Sequence, residues 1–157
     1  MNVAVVGAGA LGSLFAARFA LADLDVLLVA RDERRAARIR ENGLTLEEGG
    51  EERTARIACV AGTAGERARD LVLMCVKAYD TKEAIAAHGS LAGPDSTVLT
   101  LQNGLGNLET IAGAVGADRA LAGITTEAAL LLEPGRVRHT GARRDQDTGA
   151  RGRARTI

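Results

Sequence analysis

"NVAVVGAGALG", Asn2 to Gly12, opens with a short β-branched apolar run and continues into three closely spaced glycines. An apolar run of that length, bounded by glycine, reads as a buried strand. Gly7, Gly9 and Gly12 have the G-x-G-x-x-G spacing, and "ALGSLFAARFALA" then carries apolar side chains at helical spacing over Ala10 to Ala22. Strand, glycine turn and helix, in that order, form the context in which this spacing binds a dinucleotide. Gly7 permits the tight turn, Gly9 leaves room for a pyrophosphate, and Gly12 lets the helix pack close to the strand. Gly7, Ala8, Gly9, Ala10, Leu11 and Gly12 are therefore the expected phosphate-binding loop, with helix N-terminal amides facing the phosphates. The spacing alone is weak in a chain with 19 glycines. Its flanking strand and helix carry the reading.

Outward from this unit the pattern repeats. "DVLLVA" (Asp25 to Ala30) reads as a second buried strand, and "DERRAARIREN" as a polar helix capped by Asp32 and stopped at Gly43. "GLTLEEGGEERTARIACV" alternates around a Gly-Gly turn, as a hairpin or an irregular excursion does. Leu71 to Val76 and Ser96 to Gln102 read as further strands, each followed by a helix, "TKEAIAAHGS" and "NLETIAGAVG". "ALAGITTEAALLLE" reads as one or two more strands, with "GRVRH" as the return arm of a hairpin. Strands alternating with helices predict an α/β fold: a doubly wound, mostly parallel sheet with helices on both faces.

In such sheets ligands bind outside the carboxyl ends of the strands, so polar residues there matter most. The second strand ends in Arg31. An arginine at that place suits the 2′-phosphate of NADP, whereas an acid would suit the ribose of NAD. Asp32 is assigned to capping the next helix, and Arg34 and Arg35 add positive charge nearby, so NADPH is the expected cofactor. The next strand ends in Lys77, within "VKAYDT", and another in Gln102 and Asn103, within "LQNGLGN". A lysine at that edge can hold a carboxylate or polarise an oxygen, or simply be solvated. An asparagine can bind a hydroxyl through its amide, or serve only as a turn residue before glycine.

Composition narrows the alternatives. The formal net charge is zero and aromatics are 2%, so neither a basic footprint nor base-stacking platforms point to nucleic acid. No apolar run reaches the roughly 18 residues needed to span a membrane. No signal peptide precedes the first strand, which implies a cytoplasmic protein. Cys59 and Cys75 are expected to be reduced thiols. No cluster suggests a metal site, and His88, near a helix end that favours a cation, and His139, in an expected edge strand, are not read as catalytic. Glu127 and Glu133 are assigned no role.

The glycine loop, the strand end at Arg31, "VKAYDT", "LTLQNGLGN" and "GITTEAALLLEPGRVRHTG" together resemble the N-terminal half of 2-dehydropantoate 2-reductases, the ketopantoate reductases. The resemblance covers about residues 1–141. It implies a Rossmann-like domain in which Gly7 to Gly12 and Arg31 bind NADPH, while Lys77 and Asn103 line the junction of nicotinamide, ribose and substrate. It also implies reduction of a 2-keto acid, ketopantoate to pantoate, on the route to pantothenate. The family's C-terminal helical domain, with its proton-donating lysine and a substrate-binding glutamate, is not matched in this sequence. The expectation for the isolated chain is therefore a cofactor-binding portion, and the alternative is a non-catalytic or redox-sensing dinucleotide module.

Residues 142–157, "ARRDQDTGARGRARTI", hold five arginines and one large apolar residue, Ile157. Such a segment cannot bury a core and is expected to be disordered. One permitted back-translation, read one base later, continues in the manner of the family. A frameshifted or truncated product is expected, with an open frame for the helical domain just downstream, and the alternative is a natural flexible tail.

Overall fold

A computed structural model of the chain describes residues 1–102 and 106–141. Asn103 and residues 142–157 lie outside the described residues. In chain order the elements are β1 (Asn2–Val6), α1 (Ala10–Leu21), β2 (Asp25–Val29), α2 (Glu33–Asn42), β3 (Leu44–Glu48), β4 (Glu51–Ala55) and β5 (Ala58–Val60). They continue with β6 (Leu71–Met74), α3 (Thr81–His88), β7 (Thr97–Thr100), α4 (Asn107–Val115), β8 (Ala120–Ala122), β9 (Ala129–Glu133) and β10 (Arg136–His139). Among the described residues no helix is long and apolar enough to cross a membrane.

Six strands form one wholly parallel sheet in the order β5-β2-β1-β6-β7-β8. The chain runs outward from β1 to β2 and β5, then starts again beside β1 with β6 and runs outward the other way. The boundary between β1 and β6 is therefore the switch point, where a doubly wound sheet opens a crevice at its carboxyl edge.

The strands read as continuous apolar runs because both faces are covered. Val3 and Val5 point into one cluster with Leu14, Ala16 and Ala17 of α1 and Ala36 and Ile39 of α2. Ala4 and Val6 point into the opposite cluster with Ala84 and Ile85 of α3 and Ile111 and Val115 of α4. The strand period of two thus feeds two cores from one strand. Each fully buried Leu or Val in them contributes about 1.5–3 kcal/mol over leaving it in water.

α2 is amphipathic and buries only Ala36 and Ile39, while the Asp32 carboxylate accepts the Arg35 amide at 2.9 Å as its cap. α1 is apolar on nearly every side, and the structure supplies the reason. Leu44, Leu46 and Val137 pack into the same cluster as Leu14 and Ala17. They belong to a second sheet, ordered β4-β3-β10-β9, so α1 lies between two sheets. A helix in that position has no solvent face to keep polar.

The Gly-Gly hairpin and the return arm after Pro134 both form, as β3–β4 and β9–β10. Sequence reading did not join them to each other. The joining ladder is parallel, with Leu46 opposite Val137, and its partners lie far apart in the chain. One consequence corrects the placement of His139. Its strand, β10, is interior, between β3 and β9, and not an edge.

Candidate functional site

The turn after β1 is held by neighbouring strands. The Gly7 amide donates to the Val29 carbonyl at 3.0 Å, and the Cys75 amide donates to the Val6 carbonyl at 2.8 Å. Gly7 has φ +113°, and a β-carbon there would come within 2.8 Å of the Cys75 backbone. No other residue type fits both constraints. Gly9 precedes α1 with nothing within 4 Å of the place its β-carbon would occupy. The first i→i−4 hydrogen bond of the helix runs from Ser13 to the Gly9 carbonyl at 2.9 Å, so the amides of Ala10, Leu11 and Gly12 precede it. The first turn contains no acidic residue. Open space over Gly9, facing a helix N-terminus of uncancelled positive polarity, fits a pyrophosphate.

The carboxyl edge beyond β1 and β6 forms a cleft of about 470 Å³. Leu11 lines it from the glycine loop; Cys75, Val76, Lys77 and Tyr79 line it from the segment after β6; Leu101 and Gln102 line it from the segment after β7. Lys77 is exposed at this mouth, in extended backbone immediately before a 3-10 turn, Ala78–Asp80. The structure therefore brings the glycine loop and Lys77 to one cleft. Arg31 stands on the β2 side of the loop, largely exposed, with its guanidinium 3.9 Å from the Asp80 carboxylate. Arg35 is turned back to Asp32 at 3.4 Å. Asn103, the remaining residue singled out in the sequence, lies outside the described residues.

Sequence reading assigned no role to a network that shapes this mouth. Gln102 Nε2 donates to the Val76 carbonyl at 2.6 Å and to the Thr81 hydroxyl at 2.9 Å. The Thr100 hydroxyl donates to Gln102 Oε1 at 2.9 Å, and the Thr81 hydroxyl donates to Asn107 Oδ1 at 3.0 Å. Gln102 thus ties the end of β6, the end of β7 and the start of α3, and Thr81 carries the network on to the start of α4. The available signal was a pair of polar residues, Thr100 and Gln102, around the carboxyl end of β7.

Burial pushes the Cys75 thiol up to about 12 and the Cys59 thiol up to about 11. Both are free thiols, protonated at neutral pH and unsuited to nucleophilic work. Burial lowers the pKa of His88 and so disfavours the helix-end cation, with Nδ1 3.2 Å from the Thr63 hydroxyl.

A second polar cluster lies on the other flank of α1. Arg18 bridges Glu48 at 2.5 Å and Glu127 at 3.1 Å. His139 reaches Glu48 at 2.9 Å through Nδ1 and Glu127 at 2.6 Å through Nε2. Glu127, which sequence reading left without a role, is thus a half-buried tie between α1 and the second sheet. Glu133 pairs with Arg38 on the surface.

A parallel, doubly wound sheet, a glycine turn at its switch point and a cleft at its carboxyl edge define a Rossmann-like nucleotide-binding domain. The sequence matches the family described as Ketopantoate reductase PanE/ApbA over residues 3–150. The chain belongs to the ketopantoate reductase family. It is 41% identical over 142 residues to the 2-dehydropantoate 2-reductase of Halobacterium salinarum, covering 90% of this chain and 46% of that protein. The crystal structure of a PanE/ApbA family ketopantoate reductase from Ralstonia eutropha superposes with a TM-score of 0.82 at 32% identity, covering 90% of this chain and 47% of that one. A ternary structure of D-mandelate dehydrogenase with NADH and anilino(oxo)acetate superposes with a TM-score of 0.83 at 29% identity, covering 90% of this chain and 46% of that one. The chain spans about half the length of the relatives it matches.

Proposed function

We propose that this chain is the cofactor-binding half of an NADPH-dependent 2-keto acid reductase whose substrate is 2-dehydropantoate (ketopantoate), reduced to pantoate in pantothenate biosynthesis. The observation that carries the reading is the junction of the Gly7–Gly12 loop with the Lys77 cleft at one switch point. The named relative from Halobacterium supports the substrate, and the D-mandelate dehydrogenase complex supports a nicotinamide cofactor and a 2-oxo acid class.

In this reading the amides of Ala8 to Gly12 hold the pyrophosphate, with Gly9 admitting it closely. Arg31 meets the 2′-phosphate. The bound nicotinamide supplies the hydride for the keto carbon. Lys77 faces the keto oxygen, where negative charge develops, and its ammonium lowers the energy of that charge. Asn103 follows Thr100 by three residues, as Lys77 follows its register partner Met74, and its amide is assigned to a ribose or substrate hydroxyl. The reaction is assigned to the cytoplasm, where both thiols stay reduced.

The span of about half a relative favours a second reading for the isolated chain, a dinucleotide-binding module without turnover. The deciding experiment is calorimetric titration of NADPH and NADH into the purified chain, with ketopantoate turnover assayed in the same sample. Binding with turnover supports the enzyme reading outright. Binding without turnover supports the cofactor-half reading. A folded chain that binds neither dinucleotide overturns both.

A further inference from the structure

Arg31 and Asp80 follow strands that are not neighbours. Arg31 follows β2 and Asp80 follows β6, with β1 hydrogen-bonded between those strands. Their side chains nevertheless meet, Arg31 Nη2 lying 3.9 Å from Asp80 Oδ2. The pair therefore reaches across the carboxyl end of β1, where the chain turns into the Gly7–Gly12 loop. Asp80 is also the residue immediately before α3. An aspartate there ordinarily accepts an amide of the first turn. Among the described residues it makes no such capping bond; its carboxylate faces Arg31. Asp80 is the acidic partner of Arg31 among the described residues, whereas Arg35 is committed to Asp32 and the exposed Arg34 on α2 forms no ion pair among them.

We propose that Asp80 sets the cofactor preference of this site by competing with the 2′-phosphate for Arg31. The inference rests on the reading of Arg31 as the 2′-phosphate contact. A phosphate that approaches Arg31 must displace or share the Asp80 carboxylate, and the two anions repel each other. An unphosphorylated ribose meets no such opposition, because its hydroxyl is neutral and can donate to a carboxylate. Asp80 thus weakens NADPH selectively and narrows its margin over NADH below what Arg31 alone would give. The side chains are 76% and 33% exposed, so water and salt screen the pair and the effect is moderate.

The test is titration of NADPH and NADH into the 157-residue chain and into Asp80→Asn, Arg31→Ala and the double variant. Asp80→Ser is a second uncharged variant at the position before α3. Removing the competing charge is expected to tighten NADPH about 2- to 5-fold, the range of an exposed ion pair, and to leave NADH unchanged or slightly weaker. The gain should shrink in high salt and fall below about twofold in the Arg31→Ala background. If Arg31→Ala weakens NADPH selectively but neither Asp80 variant changes the NADPH-to-NADH ratio, the inference fails and the reading of Arg31 stands. If Arg31→Ala leaves the ratio unchanged, both fail. Equal tightening of both cofactors on Asp80→Asn also overturns the inference, because it assigns Asp80 to the general field of the cleft.

Discussion

Gly12 and Gly7 approach so closely that a β-carbon on Gly12 would stand 1.9 Å from the carbonyl oxygen of Gly7. The atom in the way is backbone, in a turn pinned by the amide of Gly7 on Val29, and it cannot rotate aside. Gly12→Ala is therefore expected to push α1 off β1 and to cost at least the about 1–3 kcal/mol typical of overpacking. Denaturant unfolding measures it. A stability unchanged within error would mean that the loop is far softer than this geometry implies.

Gly9→Ala separates ligand geometry from packing. No protein atom lies within 4 Å of the added carbon, and φ at Gly9 is −83°, which alanine adopts freely. The fold should lose no more than about 1 kcal/mol, the difference between glycine and alanine at a helix N-cap. NADPH binding should weaken at least about tenfold, a loss of about 1.4 kcal/mol, because the methyl occupies the space assigned to the pyrophosphate. Calorimetry beside a melting curve reads both quantities. Unimpaired binding would remove Gly9 from the site.

Gln102→Leu should destabilise the chain by about 1–3 kcal/mol, since it leaves the Val76 carbonyl and the Thr81 and Thr100 hydroxyls short of a partner. The loss should be non-additive with Thr81→Val, because both substitutions cut the same network. Additive losses in the double variant would show that the two side chains act independently.

The parallel sheet was legible because its signals are local. Val3 to Val6, Leu27 to Val29 and Leu71 to Met74 are apolar on both faces, and within three residues each leads to glycine or a charged residue: Gly7, Arg31 and Lys77. The glycine loop was legible for the same reason, its meaning being set by the strand before it and the helix after it. The second sheet was not, because the pairing of Leu46 with Val137 leaves no trace in either hairpin's own alternation. The near absence of polar residues from α1 was the one indirect signal, since a helix that is apolar all round must be covered on more than one side. The Arg18–Glu48–Glu127–His139 cluster was hidden likewise, its members lying on four segments that only the second sheet brings together. The Arg31–Asp80 contact depends on side chains reaching across an intervening strand, which strand order alone does not disclose.

Lys77→Ala should leave the fold within about 0.5 kcal/mol of the parent, because the side chain is exposed at the cleft mouth. If Lys77 faces the developing charge of the keto oxygen, turnover should fall by about 10²–10³-fold, the usual cost of removing one such donor. Steady-state kinetics on any preparation that reduces ketopantoate decides this. Where the chain binds NADPH without turnover, the corresponding readout is weaker keto acid binding to the NADPH-loaded chain. Unchanged values in both would return Lys77 to the role of a solvated loop residue.

Acid should loosen the contact between α1 and the second sheet before the parallel sheet itself is affected. The hydrogen bond from Arg18 holds the Glu48 carboxyl below its ordinary 4.5, against burial, which acts in the opposite direction. Below the ordinary value the unfolded chain therefore binds more protons at this group than the folded one does. The contribution is fully present above about 4.5 and is lost as pH falls through the depressed folded value. Glu48→Gln should cost about 1–2 kcal/mol at neutral pH, the scale of a hydrogen bond to a charged group that is partly screened, and should flatten the acid limb of stability against pH. Urea midpoints at neutral pH and on either side of the ordinary carboxylate value provide the check. An acid limb equally steep in parent and variant would assign the acid sensitivity elsewhere, with Glu47, held low by Arg138 and Arg136, as the next carboxylate to test.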